Sequence, residues 1–467
     1  MPQSLVLPCC VEAPPAFAPK ARYAIEVLLC GLGAEPLWVE RAHLAGPSIY
    51  YGPEPEAAGP TTVAIRLREE TPAYFASGEA YPAHRMRRVP IGEATWPMLF
   101  GEPDDDDPIA SAFFWLSGWQ EHTCIERDRH GRFPYEASLQ AAWGTACEPA
   151  VDAYRVLLGE RLARAGFIAV PTRWAGHDWA FCATHDIDYL RKWRPGIMYR
   201  ELVEYPLLNR LDRPPPERRR RLASSLRQFA TPGDPFRLAI DRMVDAERGR
   251  QGSATYFFKA GAHGPHDVHY GLHGGYIQHV FARLRRDGFE IGLHPGYHAH
   301  DHAGRMRDER SRLAGAAKAP VTSVRQHYLR WQPEITPALH AEAGFALDST
   351  LGFSTFEGFR HGTCHPFPLF DIPANAAHPI WEMPLCLMDA AIFNRRHLTA
   401  EEALGVSRRL IDQCRQFRGV CVMLWHNTLW DEIDFPGWGQ HFLDTLDAAA
   451  SAGGCLTTLS MALEAYR

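Results

Sequence analysis

Two short apolar runs in this chain each stop abruptly on ionisable residues, and together they restrict the fold more than any other feature. Trp179-Ala180-Phe181-Cys182 leads into Ala183-Thr184-His185-Asp186-Ile187-Asp188-Tyr189, and Phe289-Glu290-Ile291-Gly292-Leu293 stops at His294-Pro295-Gly296-Tyr297-His298. Runs of this length read as buried strands, and parallel α/β folds collect their chemistry in the loops at the strand ends. If the first strand continues, Asp186 and Asp188 share one face, where two close anions repel unless a cation sits beside them. The same stretch also admits a plainer arrangement, one Asp capping the next helix and the other solvated. His294 and His298 face one ion if a helical turn starts there. With 23 histidines in the chain, a His pair alone means little, whereas a His pair and an Asp pair each closing an apolar strand point together to a metal site.

Other short strands are expected at Thr255-Tyr256-Phe257-Phe258, 323–326, 344–347, 379–383, 420–424 and 455–458, with helical patterns between several of them. Such alternation implies a parallel sheet closed into a barrel. Upstream, helical spacing over 23–32 and strands at 48–51 and 61–67 predict a smaller α/β domain. The acidic run Asp104 to Asp107 is expected to cap the helix that follows Pro108. At 467 residues and 46% hydrophobic content, two domains are the default, here 1–170 and 171–467. A basic helical excursion at about 195–250, with Pro214-Pro215-Pro216 and Arg218 to Arg221, interrupts the second domain.

A net charge of −6 argues against wrapping nucleic acid or an anionic membrane through bulk charge, and no stretch could span a bilayer. The eleven cysteines show no CxxC spacing and sit largely in apolar runs, as reduced core thiols do, so a cytoplasmic location is expected. Cys9-Cys10 is read as part of a weakly structured terminus. No Gly-x-Ser-x-Gly elbow, Walker loop or Gly-x-Gly-x-x-Gly fingerprint is present, which disfavours a serine nucleophile and a nucleotide cofactor. A glycosidase built on Asp186 would leave the His pair without a role.

Thr184-His185-Asp186-Ile187-Asp188 resembles the first motif of the polysaccharide deacetylases (NodB homology, carbohydrate esterase family 4), in an Asp-x-Asp form. His294-Pro295-Gly296-Tyr297-His298 resembles their second motif, and Leu424-Trp425-His426-Asn427 their late Leu-x-His. The resemblance implies α/β architecture, a deacetylase-like distorted (β/α) barrel behind the smaller α/β domain. It makes Asp186 the catalytic base and His426 the general acid, with one divalent metal, Zn being the expected ion, on Asp188, His294 and His298. Arg325 is the first candidate to steady the base, with His327 and Arg360 as alternatives, and Glu382 or Asp389 would orient His426. Arg360, Trp425 and Tyr297 are the candidates for substrate contact, although a structural turn is an equal reading for Arg360. His185 stands where Phe is usual, as a supporting group or as packing. Further stretches, among them Phe113 to Glu121, His130-Gly131-Arg132-Phe133 and Gly358 to Thr363, resemble a branch with an uncharacterised N-terminal domain. The implied activity is removal of an N-acetyl or other N-acyl group from an amino sugar or glycan precursor. Its rivals are hydrolysis of a non-sugar amide and a catalytically silent carbohydrate-binding protein.

Overall fold

The computed structural model describes residues 5–467. The chain opens with β1 (Leu5–Val11), α1 (Ala18–Cys30), β2 (Ala34–Trp38), β3 (Ser48–Gly52) and β4 (Thr62–Arg66), which form a parallel sheet in the order β2-β1-β3-β4. The terminus is therefore not weakly structured: Leu7, Cys9 and Cys10 are buried in β1. Its sequence hides this because Pro8 and the two cysteines replace the β-branched residues that normally announce a strand. Its later elements include the helices α2 (Pro108–Leu116) and α3 (Ala150–Arg164). Of the acidic run, Asp107 alone caps α2, its carboxylate accepting from the Ala110 amide at 2.9 Å, while Asp105 pairs with Arg68 and Asp106 with Arg87.

The larger part begins at β5 (Ala180–Ile187). Helices α4 (Pro215–Ala230) and α5 (Pro235–Gly249) make up most of the excursion. The alternation then runs through β6 (Thr255–Phe258), α6 (Gly275–Arg286), β7 (Glu290–Leu293), α7 (Ala303–Ala317), β8 (Ser323–Val324) and β9 (Leu347–Asp348). A hairpin of β10 (Phe367–Asp371) and β11 (Ala376–Glu382) follows, then β12 (Leu385–Met388), α8 (Ala400–Gln416), β13 (Val420–Leu424), α9 (Trp438–Ser451) and β14 (Cys455–Leu456). The strand order is β10-β11-β9-β8-β7-β6-β5-β13-β12, with β14 beside the start of β5, and every pairing except β10–β11 is parallel. This is the deacetylase-like distorted (β/α) barrel expected of the sequence, with one difference: strand pairing does not close the circuit. The loop after β9 spans the gap, Ser349 Oγ donating to the Met383 carbonyl at 2.8 Å and the Gly358 amide to Cys386 at 2.8 Å.

The two parts share one continuous core. Tyr23 of α1 and Phe113 of α2 pack on Phe370 of β10, with ring centroids 4.8 and 5.0 Å apart. In the excursion, α4 turns its polar stripe inward: Arg221 and Ser225 bond Glu201 at 2.8 and 3.2 Å, and Gln228 bonds Asp431 at 2.8 Å. Leu226 and Phe229 are left facing out, about half exposed.

Candidate active site

β5 lies in the middle of the large sheet, paired with β6 from Thr184↔Thr255 to Ile187↔Phe258 and with β13 from Ala180↔Val420 to Thr184↔Leu424. Its alternation sends Asp186 toward the cavity and His185 to the opposite face. There His185 sits between the Trp425 carbonyl (2.9 Å) and Glu247 (2.6 Å), which also accepts from the Tyr256 hydroxyl (2.9 Å). His185 thus locks β5 to α5 and takes no part in the cavity.

Asp186 is steadied by Arg325, the residue just beyond β8. One guanidinium nitrogen lies 3.3 Å from Asp186 Oδ1 and 2.6 Å from Thr184 Oγ1, and two others donate to the carbonyl and hydroxyl of Ser349 at 2.7 and 2.8 Å. Arg325 is wholly buried, so its planar fork is held without freedom to swing.

Asp188, His294 and His327 converge, with ligand atoms all within 4.8 Å of one another. The His294 Nδ1–H donates to the Arg325 carbonyl at 2.7 Å, which leaves its Nε2 lone pair 3.4 Å from Asp188 Oδ1. His327 Nδ1 is held by Asp267 at 2.9 Å, and its Nε2 is 3.3 Å from the same Asp188 oxygen. Burial alone would raise the Asp188 carboxyl, but the charges of the neighbouring His327 and His294 hold it well below the usual range. His327, whose imidazolium burial would disfavour, is instead raised by Asp188 and Asp267.

Beside the cluster, at the end of β13, His426 turns its Nε2 to within 3.8 Å of Asp188 Oδ2, while its Nδ1 lies 2.9 and 3.0 Å from the two oxygens of the fully buried Asp389, which also accepts from the His426 amide at 2.6 Å. Burial would lower the His426 pKa, yet the Asp389 carboxylate, with Asp188 and Asp186 behind it, pushes it up to about 10. Asp389, not Glu382, orients this histidine. Glu382 bonds the Leu351 amide and lies against Asp348, away from His426.

Four expected residues stand elsewhere. His298 is not brought to the cluster: the helical turn that would align it with His294 is absent, and the chain instead turns at 296–299, with the Gly296 amide held by Glu309 and the Tyr297 amide by Asp267. The second imidazole is supplied by His327 instead. Arg360 is buried in a bidentate pair with Glu121 of the N-terminal part, at 2.6 and 2.5 Å, and reaches no cavity. Trp425 is fully buried and stacks on Trp438 and His441, because it follows the strand alternation away from His426. Tyr297 lies behind the cavity wall, its hydroxyl 3.0 Å from His130 Nδ1.

The cavity itself has a volume of about 380 Å³, and its lining includes Asp186, Asp188, Lys259, His294, His327 and His426 together with His130 and Arg132 from the N-terminal part. Lys259, Asp267 and the last two were missed as site residues in the sequence. Only the His130-Gly131-Arg132 turn carried a signal, the hairpin-like glycine, which adopts φ +76° here. That turn braces the loop bearing His327. Arg132 donates to the Tyr328 carbonyl at 2.7 Å, and Arg330 donates back to the His130 carbonyl at 2.9 Å. Tyr328 and Leu329 sit at φ +62° and +53°, a conformation non-glycine residues hold only when their surroundings impose it.

The donor set fits a divalent metal. Asp188 Oδ1 is buried and receives no hydrogen bond, and two imidazole Nε2 atoms point toward it from rings fixed at their other nitrogen. Bound there, a divalent metal would supply Lewis-acid activation of a water and of an acyl oxygen.

Residues 17–166 match the model of a family of unknown function, DUF7033. No curated protein matches the chain. Among solved structures, a Mycobacterium smegmatis protein classed as a polysaccharide deacetylase aligns at 18% identity and TM-score 0.39, over 63% of this chain and 93% of that one. A family 4 carbohydrate esterase from Streptomyces lividans, in complex with acetate, aligns at 11% identity and TM-score 0.30, over 60% and 92%. A CE4 family pseudoenzyme from Bacillus anthracis aligns at 7% identity and TM-score 0.28, over 61% and 65%. Likenesses this distant leave the reading of the site to its own geometry. No helix of the described residues is long and apolar enough to cross a membrane.

Proposed function

We propose that this protein is a metal-dependent N-deacylase that removes an acetyl or similar acyl group from an amino sugar or glycan precursor. The observation that carries the reading is the meeting of two kinds of group in one cavity: a steadied carboxylate beside a two-histidine, one-carboxylate donor set, and, 3.8 Å from Asp188, a charged histidine held by a buried aspartate. Amide hydrolysis needs those functions together: a base to take a proton from the attacking water and an acid to give one to the departing amine. Asp186, oriented by Arg325, is the base. His426, kept protonated by Asp389, is the acid. Zn is the ion we expect on Asp188, His294 and His327, since nitrogen-rich sets of this kind suit it.

Acetate release from N-acetylated amino sugars tests the reading, with enzyme stripped by chelator and then reloaded with Zn²⁺. Release that vanishes on stripping and returns on reloading is expected; release unaffected by stripping would refute metal dependence. A second reading, a silent carbohydrate-binding protein, is favoured by one feature. A protonated His327 between Asp188 and Asp267 could hold the cluster together without an ion.

A further inference from the structure

A second cavity, of about 400 Å³, adjoins the first and shares Tyr189 and Val268 with it as common wall. Its charged lining consists of Arg191, Arg194 and Arg237, with no carboxylate among the lining residues. None of the three guanidinium groups forms an ion pair within the described residues. The Nε atoms of Arg194 and Arg237 are buried without an acceptor. Both planes are fixed by aromatic rings, Arg194 over Tyr189 and Arg237 over Tyr276, each 4.6 Å from the ring centroid. Three cations gathered around one cavity repel one another, and Arg191 adds to the burial that lowers Arg237, against the pull of Asp234. An anion relieves both costs.

The adjoining wall, which Arg237 touches through Tyr276, has the same preference. Helix α6 starts there from Gly274-Gly275, without a side-chain cap, so the amides of Gly275, Tyr276 and Ile277 have no acceptor among the described residues. A side chain at Gly274 would meet nothing within 4 Å, so the space over those amides is open. Arginine forks facing a glycine-lined helix start match the tetrahedral oxygens of a phosphate.

We infer that this cavity binds the phosphate or diphosphate group of the substrate, so that the molecule deacylated is an amino sugar carrying a phosphate ester. The inference rests on the N-deacylase reading for the sugar and on the second cavity alone for the anion. Tyr189, which directly follows Asp188, lines both cavities, so a sugar at the catalytic carboxylates and a phosphate on the arginines are within the reach of one small molecule. A nucleoside diphosphate and a polyprenyl diphosphate present the same group.

Calorimetric titration of the full-length protein tests this, with inorganic pyrophosphate, N-acetylglucosamine and N-acetylglucosamine 1-phosphate as probes. Two variants are compared with the wild type: the double variant Arg194→Gln/Arg237→Gln, and Gly274→Asp, which caps α6 with its own carboxylate at a φ of −66° that any residue adopts. Pyrophosphate is expected to bind the wild type and to lose affinity about tenfold or more in both variants, at unchanged melting temperature, and the phosphorylated sugar to bind about tenfold or more tighter than the free sugar. Equal pyrophosphate affinity in wild type and both variants, or equal affinity for the two sugars, would overturn the inference. Binding of the uridine diphosphate sugar and of the polyprenyl diphosphate sugar in detergent then separates the two sources. If pyrophosphate binding behaves as expected but no sugar releases acetate, the anion site stands and the deacylase reading falls.

Discussion

Asp389 sets the charge of His426: both carboxylate oxygens lie within 3.0 Å of the imidazole Nδ1, in a position where burial alone would strip the ring of its proton. The pair joins the ends of β12 and β13, so the acid of the proposed reaction is held by neighbouring parallel strands.

Asp389→Asn removes that charge. His426 then falls from about 10 toward its ordinary value, and the alkaline limb of the kcat profile moves to lower pH, because the protonated acid is lost earlier as pH rises. At pH 8, kcat is expected to drop by about 10²-fold or more with little change in KM. A pH–rate profile superimposable on the wild type would contradict the pairing.

Arg132 braces the Asp188, His294 and His327 cluster from the N-terminal part of the chain. Arg132→Ala takes away the bond to the Tyr328 carbonyl and lets the strained 327–330 loop relax, which displaces His327. Zn²⁺ affinity is expected to weaken about 10- to 100-fold, as for a lost supporting contact. A competition titration against a chromogenic chelator reads this directly, and unchanged affinity would show that the loop holds itself.

Arg360 is a structural residue. Its pair with Glu121 is almost wholly buried, so Arg360→Ala leaves an uncompensated carboxylate inside the protein, at a cost of about 3–5 kcal/mol. The expected signature is a lowered melting temperature with KM unaltered in the fraction that remains folded. A raised KM at full stability would restore it to the substrate site.

Asp107 makes stability depend on pH. Burial raises its carboxyl from 3.8 to about 7, against the opposing bonds from the Ala110 amide and the Tyr51 hydroxyl. The folded state therefore holds a proton that the unfolded state has released, and the stabilisation is complete below about pH 3.8 and lost as pH rises through about 7. Asp107→Asn keeps an oxygen to cap α2 and removes the titration. Thermal melts of the variant should flatten between pH 4 and 8 relative to wild type; identical slopes would place the effect elsewhere.

The sequence made some of this legible and hid the rest for physical reasons. Asp186 lies near the end of a contiguous apolar strand and Asp188 and His294 directly follow one, so local pattern points to them, whereas His426 stands out only through the resemblance carried by Leu424 to Asn427. Arg325 stands at the end of β8, a strand of only two residues, and its contact with Asp186 depends on the register of four neighbouring strands. His298 misled because a spacing of four implies a shared face only within a helix, and Pro295 and Gly296 give the chain a turn instead. His327 and Asp267 lie 139 and 79 residues beyond Asp188 in loops of no regular period, so nothing local joins them. His130 and Arg132 come from a part of the chain that read as a separate unit. The open circuit of the sheet was equally hidden, since strand alternation predicts parallel pairing but not where pairing ceases.

The most direct test of the account is metal content by elemental analysis, on protein purified without chelator or histidine tag, for wild type, His298→Ala, His327→Ala and Asp186→Asn. The account predicts about one equivalent of a transition metal in the wild type, retained in His298→Ala and in Asp186→Asn, and lost in His327→Ala. No metal in the wild type even after reconstitution, or metal lost in His298→Ala and kept in His327→Ala, would contradict it.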